Sequence, residues 1–479
     1  MRNEAVGTRR GETLGGTKHA PAAPPRRRQR PKGLPRLWTR VRRLLWSWWL
    51  WAALAVLALV ADRSYTALGL AVVAVLIYIA APRERAPTYG LDHDFAIDSE
   101  EFLNTVVGAT GTPFLAGNSL EVYNNGDEFY PAMLEAVEHA EVSITIEAYI
   151  YWAGRIGSRF AKALAAKARA GLPVKILLDA VGSSTIGDRI LKTLTDSGCQ
   201  VEWYRPLRWY SLNRINNRTH RKSLVVDGKV GFTGGAGIAD HWMGNAEDER
   251  HWRDIQVRVE GPTVATLQTG FARNWLETTG ELVSGPDYYP APVESGRLDL
   301  QSILSSPETG SSTVRIMYYL AIVCARKSVL IANPYFIPDN AAIDILVDAR
   351  RRGVDVKVML AGIHNDIKLA RVNGRRLYGR LLKAGVEIYE YNRTMLHHKY
   401  MVCDGVWTTV GTTNFDNRSF GLNDEHNLCA YDTQLAQQFE HIFAHDLAAC
   451  DRVEFEAWRN RGPAAKTVER LASLLKEQI

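Results

Sequence analysis

The sequence predicts an α/β fold in which two copies of one strand-and-helix unit share a single pseudo-symmetric site, preceded by an N-terminal transmembrane hairpin. Three observations predict it. The motif His-x-Lys-x4-Asp occurs twice, as His220, Lys222 and Asp227 and again as His397, Lys399 and Asp404. A strand, helix, glycine, strand pattern also occurs twice, at nearly the offset of the motifs. Two uncharged apolar runs stand ahead of both copies.

The first apolar run is Leu44 to Ala61, LLWSWWLWAALAVLALVA, and the second is Ala67 to Ala81, with Asp62, Arg63 and Ser64 between them. A spanning helix needs roughly 20 residues, with about 17 as a lower bound. The first run meets that length, and the second meets it when Tyr65 and Thr66, or Pro82, count as interfacial. Trp46, Trp48, Trp49 and Trp51 suit an aromatic belt, and Arg36, Arg40, Arg42 and Arg43 set the N-terminus on the cytoplasmic side. Two transmembrane helices over residues 44–82 are therefore expected, returning the body to the cytoplasmic side. Residues 1–43 carry 13 Lys/Arg against 2 Asp/Glu and little apolar periodicity, the pattern of a disordered basic arm. Within it Arg26 to Arg30 suits either anionic lipid head groups or a solvated topology signal. The rest of the chain holds 45 basic and 50 acidic groups, so the body is mildly acidic. That bias weighs against a nucleic-acid partner. Five cysteines without a CxxC pair argue for buried free thiols in a reducing compartment.

Residues 83–109 read as a linker, 110–290 as the first unit and 291–479 as the second. In the first, Val142 to Tyr151 reads as a strand, Ser158 to Ala170 as a helix capped by Ser158, and Val174 to Asp179 as a strand after Gly171. In the second, Val329 to Ile337, a helix from Asn340 to Arg352, Gly353 and Val356 to Leu360 repeat the order. The offset is 182 residues between Val174 and Val356 and 177 between His220 and His397. One largely parallel or mixed sheet per half is expected. The boundary falls in the Pro-, Ser- and Gly-rich stretch Gly285 to Thr313, and the residues from Thr433 onward look helical.

Each motif precedes or enters a short apolar strand, SLVV at Ser223 to Val226 and YMVC at Tyr400 to Cys403. Alternate residues of a strand share a face, so His220 projects with Lys222 and His397 with Lys399. Lysine offers a point charge to phosphate oxygens, and histidine serves as nucleophile or proton donor near neutrality. Two such pairs suit a phosphodiester. Gly234-Gly235 and Gly411-Thr412 follow at matched positions and let backbone approach closely, which makes Gly235 and Thr412 candidate substrate contacts. Asp227 and Asp404 precede glycines and read mainly as turn supports. No Asp, Glu or His cluster shows metal-ligand spacing, so neither a metal nor another cofactor is expected.

On these motifs the stretch of roughly 110–450 is identified as a member of the phospholipase D superfamily, and it looks most like the bacterial cardiolipin synthases. GTTNFDNRSFGLNDEHN (Gly411 to Asn427) resembles their second-motif extension, and WRDIQVRVEGP (Trp252 to Pro262) the segment after their first motif. The resemblance implies two phospholipase D-like α/β/α domains and a metal-free, two-step transfer through a phosphohistidine. It implies His220 as nucleophile, His397 as acid and base, and Lys222, Lys399 and Asn414 on the phosphate. It also implies that Glu425 orients His397 and Asp254 orients His220. An asparagine common in the family is replaced here by Gly237. The implied reaction makes cardiolipin from two phosphatidylglycerol molecules with release of glycerol, at the bacterial inner membrane. The alternatives are a phospholipase D-type hydrolase and, less favoured by charge and anchor, a nuclease.

Overall fold

The computed structural model describes residues 47–61, 63–80, 94–206, 217–306 and 313–472. The basic arm 1–43, and residues 83–93 of the expected linker, lie outside the described residues.

The first half contributes seven strands. From the centre outward they are Phe114–Asn124, Ile255–Glu260, Val230–Gly234, Lys222–Val226, Ile144–Ala148, Val174–Asp179 and Gln200–Tyr204. The second half repeats that order with Leu298–Ser305, Glu425–Tyr431, Trp407–Gly411, Tyr400–Cys403, Ser328–Asn333, Asp355–Ala361 and Glu387–Tyr391. Cys450–Arg452 then adds an outer strand. The two sheets join through the antiparallel pair Phe114–Asn124 and Leu298–Ser305, so one 15-stranded sheet replaces the expected sheet per half. Leu298–Ser305 lies inside the stretch whose composition suggested a boundary. Its Gln301, Ser302 and Ile303 are buried, and such burial outweighs local turn residues.

Both Asp-Gly steps are hairpin turns. Asp227 (φ 55°) with Gly228 (62°), and Asp404 (54°) with Gly405 (66°), adopt the left-handed conformation that two-residue hairpins require. Each carboxylate then accepts three backbone N–H groups from the neighbouring strand entry. Asp227 takes Glu141, Val142 and Ser143, and Asp404 takes Arg326, Lys327 and Ser328. These two motif positions fix the register of the histidine strands and do not line the cleft described below.

The helix predicted from Ser158 begins earlier, at Arg155, because its cap is distant in sequence. The Asp240 carboxylate accepts the N–H groups of Arg155 and Ile156, both at 2.9 Å. The predicted strand Val329 to Ile337 stops at Asn333, whose side chain binds Thr413 O and Phe415 N. Within the stretch expected as a linker, Glu100–Thr110 is a helix capped by Ser99, and it buries Phe102 and Val106. Thr433–Leu447 is the first of three helices that end the described chain, and its Phe439 ring packs on Tyr400.

The apolar runs form two helices, Trp48–Val60 and Ser64–Ala80, of 13 and 17 residues. Among the described residues no helix is long and apolar enough to cross a membrane, so the two spanning helices expected over 44–82 find no support there. The Asp62-Arg63-Ser64 break divides the apolar material. Ala55, Ala67 and Ala74 are buried in the hairpin, while Leu57, Val60, Leu68 and Val72 are exposed.

Candidate active site

The two halves bring both motifs to one cleft of about 450 Å³. His220, Lys222, His397 and Asn414 line it, together with Tyr149, Trp252, Tyr335 and Arg418. The segments leading into the motifs cross. Thr219 bridges Asp424, and Arg253 bridges Leu396. His220 N–H donates to Asp424 O (2.9 Å), and His397 N–H donates to Arg253 O (2.8 Å). Each histidine segment is therefore sewn to the carboxylate-bearing segment of the other half.

That crossing reverses the pairing implied by the resemblance. Glu425 holds His220, with Nδ1 3.0 Å from both carboxylate oxygens, and Asp254 holds His397, with Nδ1 2.9 Å from Oδ2. The bound Nδ1 assigns the tautomer in each ring and leaves the chemistry to Nε2. Sequence proximity misleads here. Glu425 follows the second motif and Asp254 the first, yet each carboxylate serves the histidine of the other copy.

The supports differ between the halves. The Thr412 hydroxyl donates to Glu425 Oε2 at 2.5 Å. The matching Gly235 has no side chain, and a Cβ there would come within 2.2 Å of Asp254 Oδ1. Asp254 is steadied by Trp242 Nε1 instead, at 2.8 Å. Gly235 and Thr412 thus sit behind the carboxylates and do not line the cleft, unlike Asn414. The position equivalent to Asn414 is Gly237. Its added Cβ would lie 2.8 Å from Ile150 O, and its own carbonyl accepts from Tyr130 Oη (2.8 Å). Backbone packing excludes a second asparagine, so the two half-sites are unequal by construction.

Lys222 donates to His220 O (2.9 Å), and Lys399 approaches His397 Nδ1 (3.1 Å) and its carbonyl. Burial and then the charge of Lys399 push Lys222 down, and burial alone takes Lys399 down to about 8 despite Asp254 and Glu425. Burial and then Lys222 and Lys399 hold His220 well below its usual value. His397 falls to about 4, from burial and then Lys399, with Asp254 opposing. Burial raises the carboxyl of Glu425 against the pull of Lys222 and Thr412. Burial would also raise Asp254, but the His397 hydrogen bond and charge keep it low. An ionised Asp254 favours an imidazolium at His397 more than Glu425 does at His220. The cleft holds an apolar and aromatic wall beside four cationic side chains, Arg218, Lys222, Lys399 behind His397, and Arg418. Among the described residues no three His, Cys, Asp or Glu side chains converge as a metal site.

Several cleft residues carried no sequence signal. Tyr149 lies just past its strand, with its ring against His220 (5.2 Å) and under Lys222 Nζ (5.4 Å). Tyr335 stands near His397 (6.1 Å) and donates to Asp366 (2.6 Å). Trp252 packs beside His397, and only its place two residues before Asp254 hinted at the site.

A duplicated α/β fold that closes two His–Lys pairs around one cleft defines a phospholipase D-like protein. A family model described as cardiolipin synthase, PLD-like domain, matches residues 133–275 and 320–447. The cardiolipin synthase of Geobacillus kaustophilus (strain HTA426) is 35% identical over 366 residues, covering 76% of this chain and 73% of the relative. Cardiolipin synthase 2 of Bacillus anthracis is 34% identical over 354 residues, covering 73% and 69%. The chain belongs to the cardiolipin synthase family. Phosphatidylserine synthase from Haemophilus influenzae Rd KW20 shares the fold, with a TM-score of 0.60 and 15% identity over 79% of this chain and 99% of that one.

Proposed function

We propose that this protein is a phosphatidyltransferase that makes cardiolipin from two molecules of phosphatidylglycerol and releases glycerol. The observation that carries the proposal is the pair of carboxylate-anchored histidines, each with its lysine, facing one cleft. His220 Nε2 attacks phosphorus of the first phosphatidylglycerol, and the bond to the glycerol oxygen breaks. His397 gives its proton to that oxygen, glycerol leaves, and the phosphatidyl group stays on His220. His397 then takes the proton of a hydroxyl on the second phosphatidylglycerol. That oxygen attacks phosphorus, the N–P bond breaks, and both imidazoles return to their starting states. Lys222, Lys399 and Asn414 hold the non-bridging oxygens, whose charge is the same in both steps.

The assignment of roles rests on the unequal carboxylates. His220 is held neutral beside a carboxyl raised by burial, which suits a nucleophile. His397 faces a carboxylate held low, which suits a group that must carry a proton. A bound phosphodiester anion offsets the charge of Lys399 and raises His397 into working range. The apolar residues exposed on the hairpin support a place in lipid.

Purified protein mixed with phosphatidylglycerol vesicles in a chelator should yield cardiolipin and glycerol in equal amounts. Phosphatidic acid as the sole lipid product would show that water is the acceptor and overturn the transferase. The lysines also set a pH limit. Lys222, pushed down to about 7, and Lys399, down to about 8, lose their charge as pH rises through those values. The kcat/KM for the anionic lipid should therefore fall on the alkaline side from about pH 7 to 8, and a flat profile to pH ~10, near the reference lysine value, would contradict that role.

A further inference from the structure

A second cavity, of about 620 Å³, shares no lining residue with the catalytic cleft. Asn124, Asn125, Asn245 and Arg253 bound it on the first half; Arg393 and the helix Thr433–Leu447 bound it on the second. At its floor the buried Arg253 donates from Nε to both oxygens of Asp446, at 2.9 and 3.0 Å. Its remaining guanidinium nitrogens reach Asn124 Oδ1 (2.9 Å) and Asn125 Oδ1 (3.1 Å). Asp446 is the one carboxylate lining the cavity, and Arg253 already compensates it.

Several features call for a ligand there. Arg393 stands exposed at the rim with no hydrogen bond or ion pair among the described residues, and the same holds for His441, Gln437 and Gln438. Behind Asp446, outside the cavity lining, lies His398, fully buried, with no hydrogen bond to either ring nitrogen and Nε2 4.0 Å from Asp446 Oδ2. Asn125 (φ 60°) and Ala246 (φ 58°) line the wall in the left-handed conformation, which for alanine costs on the order of 1 kcal/mol. The lining thus holds one uncompensated guanidinium, imidazoles at His441 and His445, and a set of primary amides. That combination recognises a phosphate ester bearing hydroxyl groups.

We propose that this cavity binds a phosphate ester of the glycerophosphate class. Arg393 and His441 take the phosphate, and the amides of Asn245, Gln437 and Gln438 take the hydroxyls. The site is separate from the reacting atoms but joined to them through one residue. Arg253 forms the floor of the cavity, its main chain pairs with Met395 and His397, and its neighbour Asp254 anchors His397. The inference does not depend on which reaction the cleft performs.

Binding of radiolabelled glycerol 1-phosphate to the full-length protein in detergent micelles tests it. Two sites per chain are expected. Lys399→Ala should remove the cleft site alone. Arg393→Ala and His441→Ala should each weaken the other by at least about tenfold while leaving phosphatidylglycerol turnover unchanged. Competition by phosphatidylglycerol in nanodiscs assigns the natural source to a lipid head group, and its absence assigns it to a free ester. A single site that Lys399→Ala abolishes, or two sites that survive both Arg393→Ala and His441→Ala, would overturn the proposal.

Discussion

Replacing either His220 or His397 by alanine should lower cardiolipin formation by on the order of 10³-fold or more, because each ring has a role no neighbour can take. The two variants should fail differently. With lipid labelled at phosphorus, His397→Ala keeps the nucleophile but lacks the group that protonates the leaving glycerol and then removes the second alcohol's proton. It should therefore collect label slowly on the protein, in an acid-labile, base-stable form typical of phosphohistidine. His220→Ala should collect none. The opposite pattern would exchange the two roles, and full turnover in either variant would sink the shared site altogether. Misfolding is separable from chemistry. Both rings are buried against carboxylates in the cleft wall, so the cooperative unfolding transition of each variant is measured beside its turnover. Asp404→Ala is the contrasting control, since it strips three backbone N–H groups of their acceptor and should lower stability.

The duplication was legible because both of its signatures are local. A two-residue spacing puts histidine and lysine on one strand face, and an Asp-Gly step makes a hairpin turn wherever strands flank it. The strand Val174–Asp179 falls on the predicted residues. What could not be read is what the chain assembles over long range. The helix cap at Arg155 comes from Asp240, 85 residues away. The union of two sheets into one depends on Leu298–Ser305, whose strand character is set by partners on both edges. The crossed carboxylates are the same lesson at the site. Glu425 is 28 residues from His397 in sequence, and it bonds a histidine 205 residues away.

Because the carboxylates cross, Asp254→Asn and Glu425→Gln should each damage the chemistry of the opposite half. Asp254→Asn removes the charge that favours the His397 imidazolium, while the amide can still meet Trp242 Nε1. A loss of about 10²–10⁴ in kcat is expected, with KM little changed, as for other carboxylates that orient a catalytic imidazole. Glu425→Gln should cost less, since burial already favours the neutral form of that carboxyl. The labelling experiment separates the pairings. Under the crossed arrangement, Asp254→Asn behaves as a weaker His397→Ala and accumulates phosphoenzyme. Glu425→Gln behaves as a weaker His220→Ala, with slower labelling and no accumulation. If each carboxylate instead served the histidine of its own half, the two phenotypes would trade places. The same logic explains why Gly235 and Thr412 differ. Gly235→Ala would push a methyl into Asp254 and should copy Asp254→Asn, whereas Thr412→Val removes the donor to Glu425 together with the acceptor of the His426 N–H (3.0 Å) and should copy the milder Glu425→Gln.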